Sequence, residues 1–274
     1  MKSDKGRPFL EIFGLSLSED YRFPFLEIFC FLYAIGTFAF VSSVSSSVVR
    51  GTSSGETVAY NLASLTLGFP LFIFVILILK NLAYGLGSDL ERGIFQTLLS
   101  YPARRNSILT AKLLSGVGFA VLPFVGIQIS ALYILAPSVV GPNLPIVLLA
   151  FAANLSEPLL LAGIVLLMTL VIKRGALALV TGLILYFGVT NAGLLALFAA
   201  SGTTPIIGLD ILSTINPNLA ASRYYSLYSN NTQAGTLLWA PSFGDVLLFL
   251  GAGYLIVFSL FLINYLYFSR RFSL

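Results

Sequence analysis

The sequence predicts an all-α integral membrane protein with six transmembrane helices. Hydrophobic residues make up 57% of its 274 residues and charged residues only 9%, with a mean hydropathy of +0.94. A soluble domain carries about 25% charged residues, because its surface has to interact with water. The apolar residues also occur in long uncharged runs, which is the pattern of helices that cross a bilayer. We therefore expect a single membrane-embedded domain over residues 1–274.

Six apolar runs have the length of about 20 residues that a membrane-crossing helix requires. They cover approximately residues 25–48, 57–79, 108–135, 145–172, 176–200 and 246–268, so residues 24–274 are predicted to form a six-helix bundle. Residues 1–23 form a cytoplasmic interfacial segment. Its apolar residues and the basic residues before them favour a helix along the inner leaflet, and an irregular tail is the alternative.

Lysine and arginine predict the orientation of the bundle. If the N-terminus is cytoplasmic, all of the 15 Lys and Arg residues lie on the inner side except Arg50 and Arg223. Cytoplasmic loops of membrane proteins are enriched in these residues. Since six is an even number of crossings, both termini are predicted inside. The prediction is a multi-pass protein of the cell (cytoplasmic) membrane.

Several classes of function are excluded by composition. The chain has no histidine, which excludes His-containing zinc sites and Ser-His-Asp triads within it. No lysine follows a glycine, so the chain has no phosphate-binding loop of the Gly-Lys-Ser/Thr type. No basic stripe interleaves with aromatic residues, which argues against nucleic acid as a partner. We expect no enzyme site, no metal and no cofactor in this chain.

The segment between the fifth and sixth runs predicts short external helices. Residues 204–221 are too apolar for an ordinary loop, yet Pro205, Asp210 and Pro217 interrupt them too often for a crossing helix. A pair of interfacial or re-entrant helices fits this pattern. Asn230 begins an Asn-Asn-Thr sequon on the predicted outer side and is a candidate glycosylation site. At residues 137–143, clustered Pro and Gly indicate a tight turn.

The charged segment between the second and third runs predicts an amphipathic cytoplasmic helix. Leu90, Ile94 and Leu98 recur at four-residue steps and form one apolar stripe. Ser88 or Asp89 is suited to begin this helix, and Pro102 ends it. The alternatives are a solvated helix without a partner, or a lever through which a cytoplasmic partner moves the bundle.

The residues of this segment resemble those of ABC transporter permeases of the ABC-2 type. The resemblance lies in Glu91-Arg92-Gly93-Ile94, the turn Leu98-Leu99-Ser100-Tyr101-Pro102, the pair Arg104-Arg105 and the later Lys112. It implies a coupling helix that docks on a separate ATP-binding subunit. The implied ATPase-coupling positions are Asp89, Glu91, Gly93, Ile94, Leu98, Leu99, Tyr101, Pro102, Arg104 and Arg105.

The family resemblance also implies the partners. Two copies of an ABC ATP-binding subunit would carry Mg-ATP, and a second permease half would complete a homo- or heterodimer in the lipid bilayer. The implied function is that of the membrane-spanning subunit of an ATP-driven transporter. Members of this family mostly move their substrates outward, so the resemblance implies an exporter. The alternatives are an ATP-independent secondary transporter or channel, or a membrane scaffold.

Glu157 is the one acidic residue deep within a predicted span, with Asn154 one turn before it. A charged side chain at mid-membrane costs about 2.5–3.5 kcal/mol on insertion scales, so it requires a partner, protonation or water. One hypothesis places Glu157 and Asn154 on the translocation path. The other is a neutral, hydrogen-bonded acid that joins two helices.

Overall fold

The described chain is helical throughout, as the composition predicts. The computed structural model describes residues 7–21, 25–48, 55–94, 97, 105–199, 206–229 and 239–270, and no strand occurs among them. Its α-helices in chain order are α1 Arg7–Asp20, α2 Phe25–Val48, α3 Gly55–Ile78, α4 Leu86–Glu91, α5 Arg105–Leu113, α6 Phe119–Leu135, α7 Pro137–Val140, α8 Leu144–Ile172, α9 Gly175–Ala199, α10 Ile206–Ile215, α11 Asn218–Ser229 and α12 Phe243–Arg270. Two segments are π-helical, namely π1 Leu79–Gly85 and π2 Leu114–Gly118.

A helix covers each of the six predicted apolar runs, with ends within a few residues of those expected. The prediction of a helix before the first run is confirmed by α1. The prediction of two short helices before the last run is confirmed by α10 and α11. The expected tight turn at residues 137–143 is confirmed for residues 141–143, whereas residues 137–140 form the single helical turn α7. Pro137 occupies its first position, where the missing N–H removes no helical hydrogen bond.

Four of the helices are long and apolar enough to cross a membrane. Within the described residues they are Pro70–Glu91, Arg105–Leu135, Leu144–Ile172 and Phe243–Arg270. Two further apolar stretches, Cys30–Ser43 in α2 and Gly175–Gly188 in α9, are too short to meet this criterion within the described residues. Several apolar helices of this length in one chain indicate a multi-pass membrane protein.

The helix α8 lies at the centre of the bundle and packs against α3, α9 and α12. Small residues allow the close approach of these helices. A Cβ atom on Gly163 would lie 2.7 Å from Leu260 Cδ2 in α12. Asn264 Nδ2 donates a hydrogen bond to the Gly163 carbonyl oxygen at 2.9 Å, beside this contact. Small residues and interhelical hydrogen bonds are the contacts that hold helices together in a bilayer.

The helices α10 and α11 form a hairpin that enters the bundle between α3, α8 and α12. Its turn presses against α12 at Gly253, where an added Cβ would lie 2.8 Å from the Thr214 carbonyl oxygen and 3.3 Å from Pro217 Cγ. Gly253 is ten residues into α12, which corresponds to a depth of about 15 Å along that helix. The hairpin therefore reaches the interior of the bundle.

Candidate functional site

The structure divides the predicted coupling positions into two groups. Asp89, Glu91, Gly93, Ile94 and Arg105 are described, and they lie at the end of the helix through α3 and α4 or at the start of α5. The other positions lie outside the described residues, namely Leu98, Leu99, Tyr101, Pro102 and Arg104. Asn230, the candidate glycosylation site, also lies outside them.

Gly93 changes the direction of the chain within the predicted coupling segment. The helix that runs through α3, π1 and α4 ends at Glu91, and Gly93 follows with φ of 74°. Glycine adopts this left-handed conformation without steric cost, and it commonly ends a helix this way. Ile94 and Thr97 are helical again. The expectation that Ser88 or Asp89 begins the amphipathic helix is therefore wrong, since both lie in the last turn of a helix continuous with α3.

Asp89 belongs to an ion triad that is centred on a buried lysine, Lys112. Lys112 Nζ in α5 lies 2.8 Å from Asp89 Oδ2 in α4 and 2.7 Å from Glu19 Oε2 in α1. Only 8% of the Lys112 side chain is exposed, against 45% of Glu19. A buried charge is strongly destabilising without a partner, so the Lys112 ammonium requires the Asp89 carboxylate. The triad fastens α1 to both flanks of the predicted coupling segment.

A second set of polar contacts joins the end of α1 to the two π-helical segments. The Asp20 carboxylate accepts a hydrogen bond from the Ser115 hydroxyl in π2, and Lys80 Nζ in π1 donates to the Asp20 carbonyl oxygen. Asn81 Nδ2 in π1 donates to Tyr21 Oη at 3.1 Å and to the Gly116 carbonyl oxygen in π2 at 3.2 Å. π-helical turns are rare in proteins overall, and those that do occur are often found at functional sites.

The environment of Asp20 disfavours its charged form. Burial raises the pKa of this carboxyl above its usual value, although the Ser115 hydrogen bond and the charges of Lys112 and Lys80 act in the opposite direction. A cavity of about 200 Å³ lies beside these groups. Three acidic and three basic side chains line it: Glu19, Asp20, Asp89, Lys80, Arg92 and Lys112. This balance of charge suits a structural joint better than a site for an ion of one sign.

Glu91 makes a contact that sequence reasoning does not anticipate. Its carboxylate accepts a hydrogen bond from the backbone N–H of Gly175, the first residue of α9, with a Gly175 N to Glu91 Oε2 distance of 3.3 Å. Arg92 and Arg105 are exposed beside this segment. The predicted coupling segment is thus tied to α1 through Asp89 and to α9 through Glu91.

Glu157 and Asn154 belong to a polar cluster around the tip of the α10–α11 hairpin. Glu157 is half-buried and accepts a hydrogen bond from Asn216 Nδ2 at this tip. Asn154 Nδ2 donates to the Ala150 carbonyl oxygen at 2.8 Å and to Asn218 Oδ1 at 3.3 Å. The Asn218 oxygen also accepts from Tyr60 Oη at 2.7 Å and from Ser64 Oγ at 3.2 Å. These contacts favour the hypothesis that Glu157 joins elements of the bundle, and a position on the translocation path stays a prediction.

Sequence reasoning missed Glu19, Asp20, Lys80 and Asn81 as members of the polar contacts around the end of α1. Each stands at the boundary between a charged and an apolar segment, where a side chain can reach a neighbouring helix. Lys112 gave a signal, because Ala111 and Leu113 isolate it four residues inside the third predicted run. No group of three or more His, Cys, Asp or Glu side chains suited to hold a metal occurs in the described part of the chain.

Comparison with known proteins adds no relative. The chain matches no protein-family model and no curated protein. Fold and composition define the class of this chain as a multi-pass, all-helical membrane protein. Its described polar contacts are concentrated around α1 and at the hairpin tip.

Proposed function

We propose that this chain is the membrane-spanning permease subunit of an ATP-driven ABC transporter of the ABC-2 type. In this proposal the six long helices α2, α3 with α4, α5 with α6, α8, α9 and α12 all cross the bilayer. Both termini are cytoplasmic, and a second permease half and two ATP-binding subunits complete the transporter. The proposed direction of transport is outward, as the family resemblance implies.

The observation that carries the proposal is the attachment of the charged segment of residues 89–105, which includes the end of α4 and the start of α5. At both of its ends the chain continues into long apolar helices. Through the Lys112 triad it is also fastened to α1, and through Glu91 to α9. A force applied to this segment by a cytoplasmic partner is thereby transmitted to several helices together. A coupling element requires this property, and a passive loop does not.

Orientation supports the same function. The segment that resembles a coupling helix carries Arg92, Arg104 and Arg105, which the distribution of positive charge places on the cytoplasmic side. ATP-binding subunits act from that side. The chain itself contains no Gly-Lys-Ser/Thr motif, so the proposal requires the ATPase as a separate subunit.

The test is affinity purification of the tagged chain from native membranes in mild detergent, followed by mass spectrometry. We expect a stoichiometric protein with a phosphate-binding loop. Leu98→Asp places a charge on the apolar stripe and should remove this partner, whereas the control Gln96→Asp places the same charge on the opposite face and should retain it. Purification of the chain without an ATPase would favour a secondary transporter, channel or scaffold.

A further inference from the structure

The two inner turns of the bundle are in backbone contact at a pair of glycines. We define the first inner turn as residues 86–94 and the second inner turn as residues 172–175. An added Cβ on Gly87 would lie 2.7 Å from Gly175 Cα, and one on Gly175 would lie 2.9 Å from Ser88 N and from the Tyr84 carbonyl oxygen. Real Cβ atoms do not approach backbone atoms this closely, so only glycine fits at either position without a backbone shift.

The second inner turn is a short connection whose backbone conformation brings Gly175 to this contact. Lys173 ends α8 in the left-handed conformation with φ of 56°, which is uncommon for a residue with a side chain. Its N–H donates to the Thr169 carbonyl oxygen at 2.9 Å. The Arg174 carbonyl oxygen then accepts the first helical hydrogen bond of α9, from Ala178 N at 3.0 Å. The chain thus reverses from α8 to α9 within two residues, and Gly175 lies directly against α4.

Glu91 completes the contact from the side of the first inner turn. The first N–H groups of a helix have no partner within the helix, and a carboxylate there also interacts favourably with the helix dipole. The N–H of Gly175 is such a group, and Glu91 Oε2 accepts its hydrogen bond. Glu91 therefore acts as a cap for α9 that is supplied by another helix.

We propose that Glu91 is a positioning residue which, with the Gly87–Gly175 contact, joins the two inner turns into one unit that moves as a whole. This inference rests on the proposed function and changes one part of it. The family resemblance implies a structural and docking role for Glu91 in the contact with the ATP-binding subunit. The inferred role is internal: Glu91 transmits motion of the coupling segment to α8 and α9.

The first arm of the test measures the contact in the full chain, without any partner. With Cys30 replaced by serine, Ser88→Cys and Arg174→Cys place a thiol on each side of the glycine pair, and disulfide formation in membranes is followed under mild oxidation. Gly87→Ala should slow this reaction by about fivefold or more, since the backbones must separate to admit the new Cβ. Gly68→Ala is the matched control, because a Cβ at Gly68 in α3 meets no atom within 4 Å. An equal rate in both variants would overturn the inferred joint.

The second arm uses the complex with its co-purified ATPase. Glu91→Ala should keep the ATPase bound at unchanged stoichiometry while lowering ATP-driven activity by about three- to tenfold, which corresponds to the loss of a helix cap. Glu91→Gln retains an acceptor oxygen and should recover most of the activity. The Ser88–Arg174 disulfide should leave activity intact, because the two turns do not separate.

Each outcome of the second arm is decisive. Loss of the bound ATPase on Glu91→Ala would assign Glu91 to docking and overturn its positioning role. Inhibition by the disulfide that a reductant reverses would show that the turns move apart. If no ATPase accompanies even the unsubstituted chain, the proposed function fails, and the first arm still decides whether the glycine joint exists.

Discussion

At the scale of single residues, Lys112 is the ion-pair partner that α1 and α4 share on α5. Its ammonium is buried and has two carboxylate partners, whose ion pairs contribute unequally to stability. Glu19 is nearly half exposed, so its ion pair is screened by water and contributes little. Asp89 is buried, and its pair with Lys112 cannot be broken without leaving an unpaired charge inside the protein.

Lys112→Met should therefore lower the free energy of unfolding by about 3 kcal/mol, because it leaves the Asp89 carboxylate buried and unpaired. Glu19→Gln is the matched single substitution on the exposed side and should cost less than about 1 kcal/mol. The double variant Lys112→Met with Asp89→Leu should recover most of the loss, since it removes both charges together. Thermal unfolding in detergent measures all three. Equal effects of Lys112→Met and Glu19→Gln would contradict this assignment.

Asp20 makes the stability of this region depend on pH. Because burial raises its pKa in the folded protein, protonation favours the folded state. The contribution is fully present below the unfolded-state pKa and is lost as pH rises through the folded-state pKa. Asp20→Asn should consequently unfold at a higher temperature than the unsubstituted chain near about pH 8, and the difference should vanish near about pH 4. Melting curves recorded from about pH 4 to about pH 8 measure this difference, and Glu11→Gln serves as the control, since Glu11 is an exposed carboxylate on the same helix. A melting temperature of Asp20→Asn that depends on pH as it does in the unsubstituted chain would contradict the prediction.

At the scale of elements, one amide oxygen accepts most of the side-chain hydrogen bonds that tie the α10–α11 hairpin to the bundle. Asn218 Oδ1 accepts hydrogen bonds from three side chains on α3 and α8. Asn218→Leu would leave these donors without that acceptor, at a cost of about 1–3 kcal/mol. We expect faster hydrogen exchange of the amides in residues 206–229. Tyr60→Phe removes one of the three donors and should change the exchange much less, and equal protection in Asn218→Leu and the unsubstituted chain would show that the hairpin is held by other contacts.

Elements differ in how far local sequence predicts them. The six long helices follow from apolar composition, which acts on each segment independently of the others. The two hairpin helices could also be predicted, because Pro205 and Pro217 limit their length. The residue at which the predicted coupling helix begins could not be predicted. Leu90 and Ile94 are four residues apart whether they lie on one continuous helix or on two helices separated by a turn. Only the φ of 74° at Gly93 distinguishes the two cases.

The candidate site depends on contacts between residues distant in the chain, which local patterns do not reveal. Asp89 was predicted as a coupling position, but its pairing with Lys112 and Glu19 requires knowledge of how α1, α4 and α5 pack. The same holds for Gly87 and Gly175, each of which looks in sequence like an ordinary helix-end glycine. Their meaning comes from the approach of two backbones.

At the scale of the whole molecule, the described contacts form two polar regions at different depths. The inner network joins α1, the π-helical segments and both inner turns. The hairpin cluster joins α10 and α11 to α3 and α8. The helix α8 takes part in both regions, since it ends at the second inner turn and carries Asn154 and Glu157. The helix α8 thus connects the second inner turn with the hairpin within one continuous element.

The measurement that tests the central claim most directly is native mass spectrometry of the complex purified from membranes. If the chain is such a permease subunit, the complex should contain two permease halves and two copies of an ATP-binding subunit, and its mass should shift on addition of Mg-ATP. A complex that contains this chain alone, or this chain with partners that bind no nucleotide, would contradict the account.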